Sequence, residues 1–178
     1  ATGGVVMSIY FADEAQTRAA HVINYTRLMD QTRRSLGGSS NNQEMLLVDF
    51  GNVDKKESGS ILCFQGFIAG WGAHAGAITC NLRVGGSHSN YVLSGGTSSG
   101  YPIVHYAYNA QDYYQIAMIA GRVTGHSGTG NQGVHVGYRS ASGGGHKIFD
   151  KVNPNASDDS RIENSMQGSS ISIWEILQ

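Results

Sequence analysis

The stretch Ser170-Ile171-Ser172-Ile173-Trp174-Glu175-Ile176-Leu177-Gln178 sets isoleucines at 171, 173 and 176 among Ser170, Ser172, Glu175 and Gln178. Alternation at a period of two marks a β-strand with one buried face. With no tail following it, this strand is expected to be tied into the sheet as a central member. Upstream, short apolar runs alternate with turn residues in the same manner. They predict further strands at 45–50, 60–69, 75–84, 90–93, 103–108, 113–121, 134–140 and 147–152. The separators are Gly51-Asn52, Trp71-Gly72, Gly85-Gly86, Gly95-Gly96, Asn109-Ala110, the 125–133 loop and Gly143-Gly144-Gly145. Strands at this spacing predict an all-β domain, an antiparallel β-sandwich or jelly roll.

The beginning of the chain reads differently. Val5 to Phe11 is a short strand candidate, and Asp13 is a reasonable N-cap for a helix running to about Leu36. Glu14 in the first turn, Arg33 and Arg34 in the last, and Gly37-Gly38 as a stop all agree with that. Ala15, Ala19, Val22, Met29 and Leu36 fall at heptad spacing, although Thr26 and Arg33 interrupt the seam. The segment is read as a short N-terminal helix, either a stem or packed on the domain, and part of it is open to an extended reading. The division expected is therefore 1–44, a strand and helix, followed by 45–178, the sandwich. Ala1-Thr2-Gly3-Gly4 has no initiator methionine, as in a processed product or a fragment.

Composition narrows the function. The 178 residues include 25 glycines, with no Gly-X-Y period, which excludes collagen. Charged residues make up 14%, against about 25% in an average protein. A net charge of −1 gives no field for nucleic acid or anionic lipid, and no apolar run has the length of a membrane span. Neither nucleic acid nor membrane insertion is expected. No repeat of solenoid or propeller period is present.

Chemistry is hard to find. None of the seven histidines stands at a metal-ligand spacing, and only His126 and His135, flanking a glycine loop, look able to meet across a hairpin. Symmetry about a threefold axis could also gather copies of one histidine. No G-x-S-x-G elbow occurs, and Ser127 reads as part of a glycine-serine turn. The acids gather in polar loops, at Asp54 and Glu57 and at Asp158 and Asp159, rather than as a glycosidase pair. The 150–159 stretch has oxygen ligands but no EF-hand register. No catalytic residue, no metal and no cofactor is expected, and the chain is not read as an enzyme. Cys63 and Cys80 face each other if Trp71-Gly72 is a two-residue hairpin turn. Two reduced, buried thiols are favoured over a disulfide.

What stands out is a run of aromatic and amide side chains: Tyr101, His105, Tyr106, Tyr108, Asn109 and Tyr113. Tyrosine offers a large stiff contact surface with a polar tip, and amides bond neutral sugars and peptide groups. The same tyrosines equally suit the packing of one sheet face. Trp71, with His74 beside it, is placed at a hairpin tip as a second candidate for recognition. Trp174 is expected in the core or at a subunit interface.

Glycine-rich turns, a possible stem, low charge and the closing strand 170–177 resemble the head or tip domains of viral and bacteriophage fibres and spikes. Many of these are jelly rolls related in shape to the tumour-necrosis-factor group. The resemblance covers 45–178 in style and in no specific motif. It implies a homotrimeric head that attaches to a host-surface receptor, a glycan or a protein, at the virion surface. Gly133-Val134-His135-Val136-Gly137 holds only one histidine of the G-x-H-x-H iron motif of needle-like tips, which favours a globular head. The alternatives are a monomeric carbohydrate-binding, lectin-like β-sandwich and a structural capsid or shell protein.

Overall fold

Ser169–Leu177 is the last strand, and it lies inside a sheet, paired antiparallel with Ala19–Asp30 on one edge and Ile61–Trp71 on the other. The expected central strand is thus in place. The computed structural model describes residues 8–10, 19–38, 43–72, 76–99, 103–107, 114–140, 147–158, 160, 162 and 168–177, with backbone alone at 8–10, 19–20, 76–78, 103–107 and 140. The strands are β1 (Ser8–Tyr10), β2 (Ala19–Asp30), β3 (Arg34–Ser35), β4 (Met45–Lys55), β5 (Ile61–Trp71) and β6 (Gly76–Ser89). They continue with β7 (Val92–Ser98), β8 (Ile103–Ala107), β9 (Tyr114–Val123), β10 (Gly130–Ser140), β11 (Lys151–Val152) and β12 (Ser169–Leu177).

All pairings are antiparallel, and they form two sheets. The first runs β1-β2-β12-β5-β11-β3, with β9 on the remaining edge of β5. The second runs β10-β4-β7-β6-β8. Because β10 also pairs with β6 from Val134 to Ser140, the pairings β10–β4, β4–β7, β7–β6 and β6–β10 return on themselves. The pairings of this sheet therefore form a closed ring, its β4–β7 link a single bridge at Met45 and Val92, and β10 is paired along both of its edges.

The two sheets bury one core. Leu62, Phe64, Ile68, Ile119, Ile171 and Ile173 from the first sheet meet Val48, Phe50, Leu82, Val84, Val134 and Val136 from the second. On β12 Ile171 and Ile173 are buried and Ser172 and Trp174 half-buried, as a strand with one inward face requires. Toward its ends Ser169, Ser170, Glu175 and Ile176 are buried as well. One close approach demands glycine: a Cβ on Gly70 would stand 2.3 Å from the Phe149 ring, which lies against the strand there. The architecture is all-β and sandwich-like, with no helix among the described residues.

The expected helix is corrected from Ala19 onward. Residues 19–30 are strand β2 and residues 34–35 are strand β3; 11–18 lie outside the described residues. Along 21–29 exposure alternates with a period of two: His21, Ile23, Tyr25, Arg27 and Met29 face out, while Val22, Asn24, Thr26 and Leu28 are half-buried. Val22, Ile23, Tyr25 and Thr26 are β-branched or aromatic and fit a pleated surface. Pairing with β12 along the whole strand then settles the conformation.

The Cys63–Cys80 hairpin is corrected too. Gly72 turns the chain with φ +69°, but β6 belongs to the other sheet. Cys63 lies between Trp174 and Arg122, whereas Cys80 lies between Tyr138 and Ile103. Both thiols are free.

Candidate functional site

Two surface features of the sandwich are candidates for function: the outer face of the first sheet and a cleft on the ring. Along the outer face, cross-strand register lines up Tyr25, Trp174, Cys63 and Arg122 as one row. Met29, Ser170, Phe67 and Met118 form another, and Ala69 stands opposite Ile116. Residues directly opposite in a sheet share a face. Tyr25 is 54% exposed, Met29 52%, Ile116 54% and Met118 63%. The Tyr25 and Trp174 rings lie 5.7 Å apart, tilted by 45°. Between the Tyr25 and Met29 rows lies a third, Arg27, Ser172, Gln65 and Ala120. None of the rows carries an acidic side chain, and their cations, Arg27 and Arg122, are on the β2 and β9 flanks. Local folding explains the polarity: Val22, Thr26, Leu28, Ala117 and Ile119 take the inward register, so their apolar neighbours must point outward.

The cleft holds the ionisable side chains. It has a volume of about 380 Å³ and is lined by Asp49, Gly51, Asn52, Gly86, Ser87, His88, Gly133 and His135. Register sets Asp49 on β4 directly opposite His135 on β10. His88 near the end of β6 completes the group, its ring meeting that of His135 edge-on at 5.5 Å between centroids and 79° between planes. Asp49 Oδ2 lies 3.4 Å from His88 Nε2, and Asp49 Oδ1 lies 3.6 Å from His135 Nε2. Burial works against ionisation of Asp49, yet the N–H of Gly51, donating at 2.9 Å, and the two imidazoles hold its carboxyl below the usual range. Burial lowers His135, with Asp49 opposing and His88 adding to the shift. The His135 ring is buried, and its Nδ1 has no hydrogen-bond partner.

Beside the cleft, Glu44 fastens the ring. Its carboxylate is buried and accepts bonds from Arg83 Nε at 2.9 Å and Nη2 at 2.6 Å, with Arg139 Nη2 at 3.4 Å. The backbone carbonyl of Glu44 accepts from Leu93 N, closing β4 onto β7. Gly137 leaves the space, since a Cβ there would come within 2.4 Å of Glu44 Oε1. This ion pair joins β6 and β10 to the start of β4 and is part of the scaffold.

Of the residues singled out for recognition, only Trp71 and the backbones of His105 and Tyr106 lie among the described residues. Trp71 ends β5 and is buried, 7% exposed, with its backbone paired to Tyr114 and Lys151. His105 and Tyr106 are on β8 in the other sheet, opposite Ile78 and Ala77, and their side chains lie outside the described residues. His74, Tyr101, Tyr108, Asn109 and Tyr113 also lie outside the described residues. His126 does not meet His135: its Nδ1 bonds Thr97 Oγ1 at 3.1 Å and its Nε2 bonds Gln132 Oε1 at 2.9 Å. Sequence reasoning missed Asp49 and His88 because the link between β4, β6 and β10 has no local spacing to betray it.

No helix among the described residues is long and apolar enough to cross a membrane. No protein-family model matches the chain, and no curated protein matches it. Among solved structures, it is similar to one described as the structure of infectious bursal disease virus Gx strain, with a TM-score of 0.38 and 6% identity. A second, of the Gt strain of that virus, has a TM-score of 0.37 and 8% identity. Each likeness covers 97% of this chain and 43% of the other, so the chain spans less than half the length of these viral neighbours. At such scores and identities the likeness carries no inference about family or function.

Proposed function

We propose that this chain is a non-enzymatic assembly and attachment domain, the head of a trimeric viral or phage fibre or spike. Its copies associate through the outer face of the first sheet. One observation carries the reading: two rows of apolar side chains on this face, exposed Tyr25 beside half-buried Trp174 and exposed Met29 and Met118 beside half-buried Phe67, flank a row of Arg27, Ser172, Gln65 and Ala120. A soluble monomer seldom leaves several large apolar side chains gathered on one sheet face, and interface cores favour Tyr, Trp, Phe and Met while losing Asp, Glu and Lys. With no acidic group in its rows, the face offers nothing to select a highly charged partner. Another copy of itself is the matching surface. Receptor attachment then falls to the loops and to the 101–114 segment with its tyrosines and amides.

The fibre-head setting rests on the resemblance in layout and composition. A capsid or shell part would use the same sheet face for its contacts. Unboiled gel electrophoresis in SDS tests the trimer, and the expected band migrates at three times 19.0 kDa and collapses on boiling. A glycan array tests attachment by a sugar. Selective binding lost with Tyr106→Ala or Tyr108→Ala supports it, and binding unchanged in both variants removes the 101–114 segment from the attachment role.

A further inference from the structure

We propose that Asp49, His88 and His135 form a binding site for one divalent transition-metal ion of the zinc type. The three side chains come from β4, β6 and β10, strands that the ring closure brings together. One donor atom from each lies within 4.8 Å of the others. Two imidazole nitrogens and a carboxylate oxygen are the donors that zinc and its neighbours prefer, whereas calcium and magnesium demand oxygen shells.

The distances are longer than those of a strong imidazole–carboxylate bond and leave room for an ion. A good bond between imidazole and carboxylate is about 2.7–2.9 Å. Here the separations are 3.4 and 3.6 Å, and each histidine faces a different oxygen of Asp49. Two ligands about 2.0 Å from a tetrahedral zinc are about 3.3 Å apart, so the three donors, now within 4.8 Å of one another, need close in only slightly to share an ion.

The surroundings fit as well. Gly51, Gly86 and Gly133 on the lining leave the cleft open beside the ligands. Three protein ligands and an open side are the arrangement that admits water or an outside group as the fourth ligand. His135 is buried and so arrives largely pre-ordered, while His88 and Asp49 are about one-third exposed and have room to close in. An ion held there would tie three strands of the ring together, so binding would raise the stability of the folded chain.

The test uses the full chain, stripped with EDTA and dialysed. Titration calorimetry with zinc chloride is expected to show one ion per chain and a melting temperature that rises with zinc concentration, while excess magnesium leaves it unmoved. Cobalt is expected to give the visible absorption of a tetrahedral site. His88→Ala, a surface change, is expected to abolish both signals with an unchanged circular dichroism spectrum, and His21→Ala to retain them. Should His135→Ala fail to fold, Asp49→Asn serves in its place. No saturable zinc binding, or binding equally strong in His88→Ala, overturns the proposal.

Discussion

Tyr25 on β2 and Trp174 on β12 stand opposite each other, their rings 5.7 Å apart on the open side of the first sheet. A tilted aromatic pair of this kind is worth about 1 kcal/mol beyond its burial. Its position matters more than its energy, because it extends an apolar surface instead of the core. The two rings stand in one row and Met29, Phe67 and Met118 in another, and association through this face would take their exposed parts out of water.

That placement separates folding from assembly. Met118 is 63% exposed and takes no part in the core. Met118→Glu is therefore expected to leave unfolding by urea within about 0.5 kcal/mol of the parent monomer. It should also abolish higher-mass species on size exclusion. Unchanged elution would remove the β9 edge from the assembly surface. Trp71→Ala is the converse case, since a buried indole costs about 3–5 kcal/mol when truncated. It should lower the denaturant midpoint sharply.

Glu175 anchors the turn between β4 and β5. Its buried carboxylate accepts from Lys56 N at 2.9 Å, Glu57 N at 2.8 Å and Ser60 Oγ at 2.6 Å. Removing the acceptor strands the N–H groups of Lys56 and Glu57, while Ser60 Oγ can still donate to Glu57 O at 2.7 Å. Each unsatisfied group costs about 1–3 kcal/mol. Glu175→Ala should thus destabilise by ~3 kcal/mol or more, and Glu175→Gln by less because one amide oxygen remains. Equal stability of both variants in urea unfolding would contradict the anchoring role.

Asp158 gives the fold an acid-sensitive clasp. Its carboxylate accepts from Arg33 Nε at 2.7 Å, Lys151 Nζ at 2.5 Å and Asn155 N at 3.0 Å. The bond from Arg33 is the main reason its pKa falls far below the usual carboxylate value; burial opposes the shift, while Lys151 and Asn155 reinforce it. A depressed folded pKa means the contribution is complete above the unfolded value of about 3.9 and is lost as pH falls below it. Asp158→Asn should be less stable than the parent at pH 7, with the gap narrowing below about pH 3.9. Parallel stability curves across that window would refute the clasp.

The thiols should differ in reactivity. Burial pushes Cys80 up to about 12, with Glu44 adding to it, so its thiolate is scarce at neutral pH. Cys63 is half-buried, and desolvation raises it while Arg122 opposes. An aromatic disulfide reagent at pH 8 is expected to label Cys63 alone in the native assembly-free chain, and both thiols in denaturant. Native labelling of Cys80 would show that its strand opens.

Local pattern made most of the strands legible. Isoleucines at 171 and 173 report a strand face through nearest neighbours alone. By contrast Gly51-Asn52 and the glycine pairs at 85–86 and 95–96, read as separators, lie inside β4, β6 and β7. Between β6 and β7 the chain reverses instead at Asn90-Tyr91, both with positive φ. The 19–36 segment misled because Ala19, Val22, Met29 and Leu36 happen to repeat at seven, while the conformation is decided by β12, a strand more than a hundred residues away. The same kind of distance hid the cleft. Asp49 and His88 are 39 residues apart, and only the pairing of β10 with both β4 and β6 makes them neighbours. The outer face was partly legible through Trp174, whose place on the last strand marked it for core or interface.

Light scattering with in-line size exclusion tests the central claim most directly, with the parent chain and Met118→Glu run at the same micromolar concentration. The account predicts a parent species of three times 19.0 kDa and a folded monomer for the variant. A parent chain that stays at 19.0 kDa would contradict it.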